Sequence, residues 1–186
     1  AGAWGNNLQV STCPSATAFE QNGATTVNDS SISVGDTQFT VTDGSTLNVG
    51  DILSISTTAA TNDYDDGEQY RVTAIDTHDI TIVQHPRASG GVKRSFTDGS
   101  NVRRRWRFYD QVDGAPGTSP FVSDRSGSND EIHIVVVDED GGISGVVGQV
   151  LETFSNLSVT VLLSSSNCSL SRFFCSSSTN FLSLLS

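Results

Sequence analysis

The sequence predicts a mainly β protein, and three observations carry that reading. Apolar residues alternate with polar ones at period two in several short runs, Phe39 and Val41 among Gln38, Thr40 and Thr42 being one. Turn chemistry separates these runs: Asn22-Gly23, Asp43-Gly44 and Asp140-Gly141-Gly142. Helix signals are weak throughout, and even at 150–157 the Val, Thr and Phe residues favour a strand.

Composition narrows the function classes. The chain has 186 residues, with 10 Lys+Arg against 21 Asp+Glu, a net charge of -11. Its pI of about 4.4 argues against general nucleic-acid or anionic-membrane binding. A hydrophobic fraction of 35% with 17% charged residues excludes wholesale disorder. No run approaches the ~20 apolar residues of a membrane-spanning helix, so no membrane anchoring is expected. The start, Ala1-Gly2-Ala3-Trp4, lacks a secretory signal. Cys13, Cys168 and Cys175 are odd in number and far apart, which fits a reducing compartment rather than a disulfide framework. The chain starts at Ala1 and contains no Met, so a piece of a longer protein is expected.

Four zones follow along the chain. Residues 1–30 open with Leu8, Val10 and Thr12 on one strand face, then a polar loop. Residues 31–88 read as a compact, barrel-like β module. Its strands centre on Phe39–Val41, Leu53 and Ile55, Tyr70-Val72-Ala74, and Ile80-Ile82-Val83. Val-Gly-Asp occurs twice there, at 34–36 and 49–51, and each glycine is expected to supply a backbone conformation other residues resist. Residues 89–158 begin with a linker, Ser89-Gly90-Gly91, and carry the remaining strands. In 102–109, Val102, Arg104, Trp106 and Phe108 share one face, and Arg103, Arg105 and Arg107 the other. The run 132–137 is expected to be covered on both faces, with 146–154 returning beside it. Residues 159–186 hold 10 Ser and 6 Leu but no Gly, Pro, Ala, Asp or Glu. This abrupt change points to a coding-frame shift after about Ser158, with a true low-complexity tail as the alternative.

No constellation points to catalysis, metal binding or a cofactor. The run Asp63 to Glu68 fails the calcium-loop pattern, because Gly67, Glu68 and Ala74 stand where ligand, glycine and glutamate belong. It reads as a solvated acidic loop. Three consecutive acids, Asp138-Glu139-Asp140, at a turn are expected to be solvated and ionised rather than split into acid and base. Gly142-Ile143-Ser144-Gly145-Val146 has Val146 where a nucleophile elbow needs glycine. His78, His85 and His133 are scattered, and His133 reads as a satisfied sheet histidine. The one basic cluster, Arg103-Arg104-Arg105-Trp106-Arg107, is expected to meet acidic groups. A subunit contact through Arg103, Arg105 and Arg107 is the first expectation and pairing within the chain the second.

Several segments then resemble the tail sheath proteins of contractile-tailed bacteriophages. Ala1-Gly2-Ala3-Trp4-Gly5-Asn6-Asn7-Leu8 is similar to their entry motif. Trp106 to Asp110, followed by Ala115-Pro116-Gly117-Thr118-Ser119, is similar to the return from a surface insertion. The longest match joins Asn129-Asp130-Glu131-Ile132-His133 and Asp138-Glu139-Asp140-Gly141 to Val150-Leu151-Glu152-Thr153-Phe154. These pieces cover residues 1–158 in family order.

The resemblance implies sheath-core β-sheet segments around an inserted module, within a full-length α+β parent. It implies a non-enzymatic structural virion protein, located in the phage tail and in host cytoplasm during assembly. Its partners would be further copies of itself in stacked rings and the tail tube protein, without nucleic acid. Contraction would then be a rearrangement of subunit interfaces between two packings. The alternative is a non-catalytic β-sandwich adhesin or carbohydrate-binding module, with a hydrolase domain that uses acidic catalytic residues third. The segment that precedes Ala1 in the family, and its continuation after Ser158, are missing, and both would donate strands to neighbours. The 186-residue chain alone is therefore expected to form no tubes, which negative-stain electron microscopy of the purified protein would check.

Overall fold

The computed structural model describes residues 7–159, so Trp4, Gly5, Asn6 and the Ser/Leu-rich tail from residue 160 lie outside the described residues. The protein is mainly β, with antiparallel sheets and, among the described residues, two single-turn α-helices and two short 3-10 turns. It divides into two compact units. One is Thr17–Tyr109; the other comprises, among the described residues, 7–16 and 110–159.

The Thr17–Tyr109 unit contains β2 (Glu20–Thr26), β3 (Ser31–Ile32), β4 (Gln38–Thr40), β5 (Ile52–Ala59), β6 (Gln69–Asp76), β7 (Asp79–His85), β8 (Phe96–Thr97) and β9 (Ser100–Arg105). Six of these strands form one sheet in the order β2-β9-β5-β6-β7-β4. The two ends of that order meet through an antiparallel bridge between Val27 and Val41. Here the Asn28 amide donates to the Thr40 carbonyl and the Thr42 amide to the Thr26 carbonyl, both at 2.9 Å. The sheet therefore closes on itself as a small barrel, and closure satisfies edges that would otherwise be open to pairing. Val27, Phe39, Val41, Leu53, Tyr70, Val72, Ile80, Ile82 and Val102 fill it. Each large apolar side chain buried this way contributes roughly 1.5–3 kcal/mol. The alternation on β6 breaks at a bulge between Val72 and Ala74, which leaves Ala74 exposed rather than on the expected core face.

The two Val-Gly-Asp copies are the same clamp used twice. The Ser33 and Asn48 amides donate to Oδ2 of Asp36 and Asp51, each at 2.8 Å. Gly35 and Gly50 have φ of +96° and +98°, so a side chain at either would be strained. Their amides donate to the carbonyls of Val92 and Val72, whose own amides donate back to the carbonyls of Asp36 and Asp51, all at 2.9 Å. Each clamp ties a turn to a distant part of the chain.

That second bond corrects the domain boundaries expected from sequence. Ser89-Gly90-Gly91 does not behave as a linker, because Gly91 is buried and a Cβ on it would lie 2.2 Å from the carbonyl oxygens of Gly35 and Asp36. The compact unit also extends beyond 31–88, since β9 pairs with both β2 and β5. Pairing across the sheet outweighs the local Gly/Ser composition.

The other unit contains β1 (Leu8–Cys13), α2 (Pro120–Ser123), β10 (Glu131–Asp138) and β11 (Gln149–Ser158); α1 (Ala16–Phe19) spans the division. Its sheet runs β1-β10-β11, all antiparallel. Val135, Val136 and Val137 are buried in succession, in keeping with a strand covered on both faces. The returning strand starts at Gln149, three residues later than expected, because 139–148 form the connecting loop.

Gly91→Ala is expected to lower unfolding stability by about 1–3 kcal/mol, as forced overpacking does. Gly114→Ala, where a Cβ meets nothing within 4 Å, is expected to stay within about 0.5 kcal/mol of the parent in the same urea titrations.

Candidate functional site

The charge cluster singled out in the sequence lies on β9. Period-two alternation sends Arg103 and Arg105 to one face, where both guanidiniums meet Oδ1 of Asp66 in the β5–β6 loop. Arg105 Nη1 stands 3.2 Å from that oxygen, and its Nε donates to Glu20 Oε2 at 2.6 Å. Arg103 also donates to Ser54 Oγ at 3.2 Å and lies over the Tyr64 ring, 4.7 Å from its centroid. The Arg103 hydrogen bond above all, helped by the charges of Arg103 and Arg105, holds the Asp66 carboxyl below its ordinary 3.8 against the opposing effect of burial. Beside them Arg94 pairs with Asp65 at 2.9 Å and Glu68 at 2.7 Å. Arg107 lies over the Phe108 ring at 5.0 Å.

Arg103 and Arg105 are thus paired within the chain, as the second expectation had it. The reason is proximity: the β5–β6 connection carries four acids over 63–68 and folds back beside β9. That segment is a largely exposed acidic loop, as expected, and its acids also pair with the arginines beside it.

Arg104 faces the opposite way and is 7% exposed. Its Nη2 and Nη1 donate to the carbonyls of Thr17 and Ala18 at 2.6 and 3.2 Å, and Nη1 lies 3.5 Å from Asp51 Oδ2. Burial pushes the Asp51 carboxyl above its ordinary 3.8, although the Asn48 amide and Arg104 oppose the shift. Trp106 and Phe108 continue this face as an edge-to-face pair, centroids 5.5 Å apart.

In the second unit several of the residues that carry the sequence resemblance form the frame of the β10–β11 hairpin. Asp138 is fully buried. Its Oδ2 accepts from the Ile143 amide at 3.0 Å, the Ser144 amide at 2.6 Å and the Ser144 hydroxyl at 2.7 Å. Burial opposes its ionisation, but these donors and the Gly141 amide prevail and hold the carboxyl below 3.8. Glu139 and Asp140 are exposed. The expectation of three solvated acids therefore fails at Asp138 alone, because it ends β10, a strand buried on successive residues, and the following loop folds back to donate to it from Ile143 and Ser144. Gly141, at φ +79°, permits the reversal that follows.

Asp130 anchors the other end of the hairpin. It accepts from the Ser119 amide at 2.8 Å, the Ser119 hydroxyl at 2.7 Å and the Ser158 hydroxyl. Ser119 caps α2 with Pro120 at its first position, a helix-start signature that Ser119-Pro120 carries in the sequence itself. Glu131 Oε2 accepts from the Gly117 amide at 3.0 Å and the Asn156 side chain at 2.8 Å. Buried Pro116 precedes that glycine, and Glu152 sits half-buried opposite Val136. His133 is fully buried. The Asn156 amide donates to its Nδ1 at 3.0 Å, so Nε2 carries the proton and donates to the Gly114 carbonyl at 2.8 Å. These contacts are those of a structural histidine.

Among the described residues, no three His, Cys, Asp or Glu side chains stand together to hold a metal ion. No helix among them is long and apolar enough to cross a membrane.

The lowered pKa of Asp138 gives a signed pH dependence. A carboxyl depressed in the fold contributes stability that is present above the unfolded value of 3.8 and is lost as pH falls through the folded value. Asp138→Asn is expected to be less stable than the parent in urea at pH 7, with the difference shrinking as the titration moves below pH 3.8.

Comparison with protein-family models, curated protein sequences and solved structures found no match to this chain.

Proposed function

We propose that this chain is a structural subunit of a contractile phage tail sheath, acting through its interfaces rather than through catalysis. The observation that carries the reading is the distribution of the resembling segments. Strand β1, which continues the entry-like segment from its last residue Leu8, and the resembling run over 129–158 lie at opposite ends of the described chain, yet pair as one sheet through β10. Most of the residues between them form a separate closed barrel. A core interrupted by an inserted module has this organisation.

One further feature supports it. The motif acids Asp130 and Asp138 are committed to holding a hairpin, a scaffold role rather than a chemical one. The proposed partners are further copies of the chain in stacked rings and a tail tube protein, and the proposed location is the virion.

The carbohydrate-binding alternative calls for an exposed aromatic platform. Trp106 and Phe108 are each only 6% exposed, and Phe121, at 43%, has Arg125 stacked on its ring.

The test reads the coding DNA across codon 158 in all three frames, expresses the longest continuation and images it by negative stain. Rings or tubes of uniform diameter are expected. A restored chain that stays monodisperse and binds on a glycan array would replace the sheath reading with the carbohydrate-binding one.

A further inference from the structure

We propose that Arg103 and Arg105, with the Ser54 hydroxyl beside Arg103, form a carboxylate-binding site that the chain's own Asp66 occupies and that a carboxylate from outside fills when Asp66 leaves. The inference does not depend on the sheath reading.

The geometry is that of a built anion site. Arg103 has only 9% of its side chain exposed, and both arginines converge on a single oxygen of Asp66. Arg103 Nε is buried with no hydrogen-bond partner, so the guanidinium retains a donor that Asp66 does not use. Ser54 Oγ, on β5 rather than on the strap, accepts from the Arg103 guanidinium and helps hold it in place. Asp66 itself is 65% exposed, so the ligand enters from the solvent side while the receptor lies within the fold.

The strap that carries Asp66 is held by polar contacts. Thr57 donates to Asp63, Asn101 to the Thr61 carbonyl, and Arg94 to Asp65 and Glu68. Lys93 Nζ donates to the Gly67 carbonyl, and the Tyr64 hydroxyl bridges the Gly23 amide and Asn62. No residue over 60–67 is buried. Such contacts weaken with ionic strength, and exposed ion pairs contribute only about 0–1 kcal/mol each. Departure of Asp66 would leave Arg103 a poorly compensated buried cation, which is costly and favours capture of another anion. A carboxylate tethered in the chain acts at an effective concentration of about millimolar or more, so an outside one wins only where the strap is displaced or the partner is concentrated by assembly.

The test is chemical rescue of the full chain. Asp66→Ala is expected to lower the thermal midpoint, and sodium acetate is expected to restore it at constant ionic strength set with sodium chloride. At an acetate concentration equal to its Kd the folded-to-unfolded ratio should double. Parent protein and the double variant Asp66→Ala/Arg105→Gln should show no acetate-specific gain. Should Asp66→Ala not fold, Asp66→Asn serves in the same titration. Equal effects of acetate and chloride, or equal acetate effects on parent and variant, would overturn the site. Sedimentation velocity identifies the source of the ligand: an Asp66→Ala dimer that acetate dissociates assigns it to an acidic side chain of a second copy. A monomer that acetate stabilises assigns it to free carboxylates.

Discussion

The Thr17–Tyr109 unit depends on the closure of its sheet at Val27 and Val41. Six strands laid side by side leave two edges, and each edge strand presents unpaired amides and carbonyls along its length. The backbone of residues 26–28 meets that of 40–42, and the hydroxyls of Thr26 and Thr42 meet at 2.8 Å on the outside. Closure is what gives the interior an inside, so that Tyr70, Ile80, Ile82 and Val102 can be fully buried without a second layer of secondary structure. The paired Val-Gly-Asp clamps act at the same level, tying the turns at 33–36 and 48–51 to Val92 and Val72. Tyr70, whose hydroxyl accepts from the Lys93 amide, shows that even the largest buried ring is satisfied at its polar end.

Charge is distributed to fit that architecture. The chain carries about twice as many acids as bases, so each arginine on β9 finds carboxylates within reach. The two faces of the strand use them differently. Inside, Arg104 is spent on backbone carbonyls of Thr17 and Ala18 and on a carboxyl, Asp51, whose burial works against its own ionisation. Outside, Asp66 remains accessible and is readily ionised beside Arg103 and Arg105. Charges buried on the inner face fasten the start of the unit to the sheet, whereas those on the outer face remain exchangeable.

The second unit is organised by polar anchors more than by apolar mass. Asp138 and Asp130 sit at the two ends of the β10–β11 hairpin and gather amides and hydroxyls from segments with no regular structure of their own. His133 links the 114 turn to the bulge at Asn156. A short sheet with few buried large side chains needs such contacts to hold its loops, because an unpaired buried polar group costs more than the bond contributes. The exposed Ile143, Val146 and Val147 then ride on a loop fixed from beneath by Asp138.

The sequence by itself determined the strand class, the position of most turns and the two faces of β9, because period-two patterning and Gly/Asn/Asp turn chemistry are local properties. It also marked His133 as a sheet histidine. The tertiary structure alone decided which acids meet which arginines, since Asp66 and Arg105 are 39 residues apart and nothing local links them. It decided that Asp138, first of three identical-looking acids, turns inward while Glu139 and Asp140 do not. It decided, too, that Gly91 packs against the Gly35–Asp36 backbone rather than serving as a linker. Each of these depends on which strands neighbour one another, and strand order is set by long-range pairing and burial that no window of sequence contains.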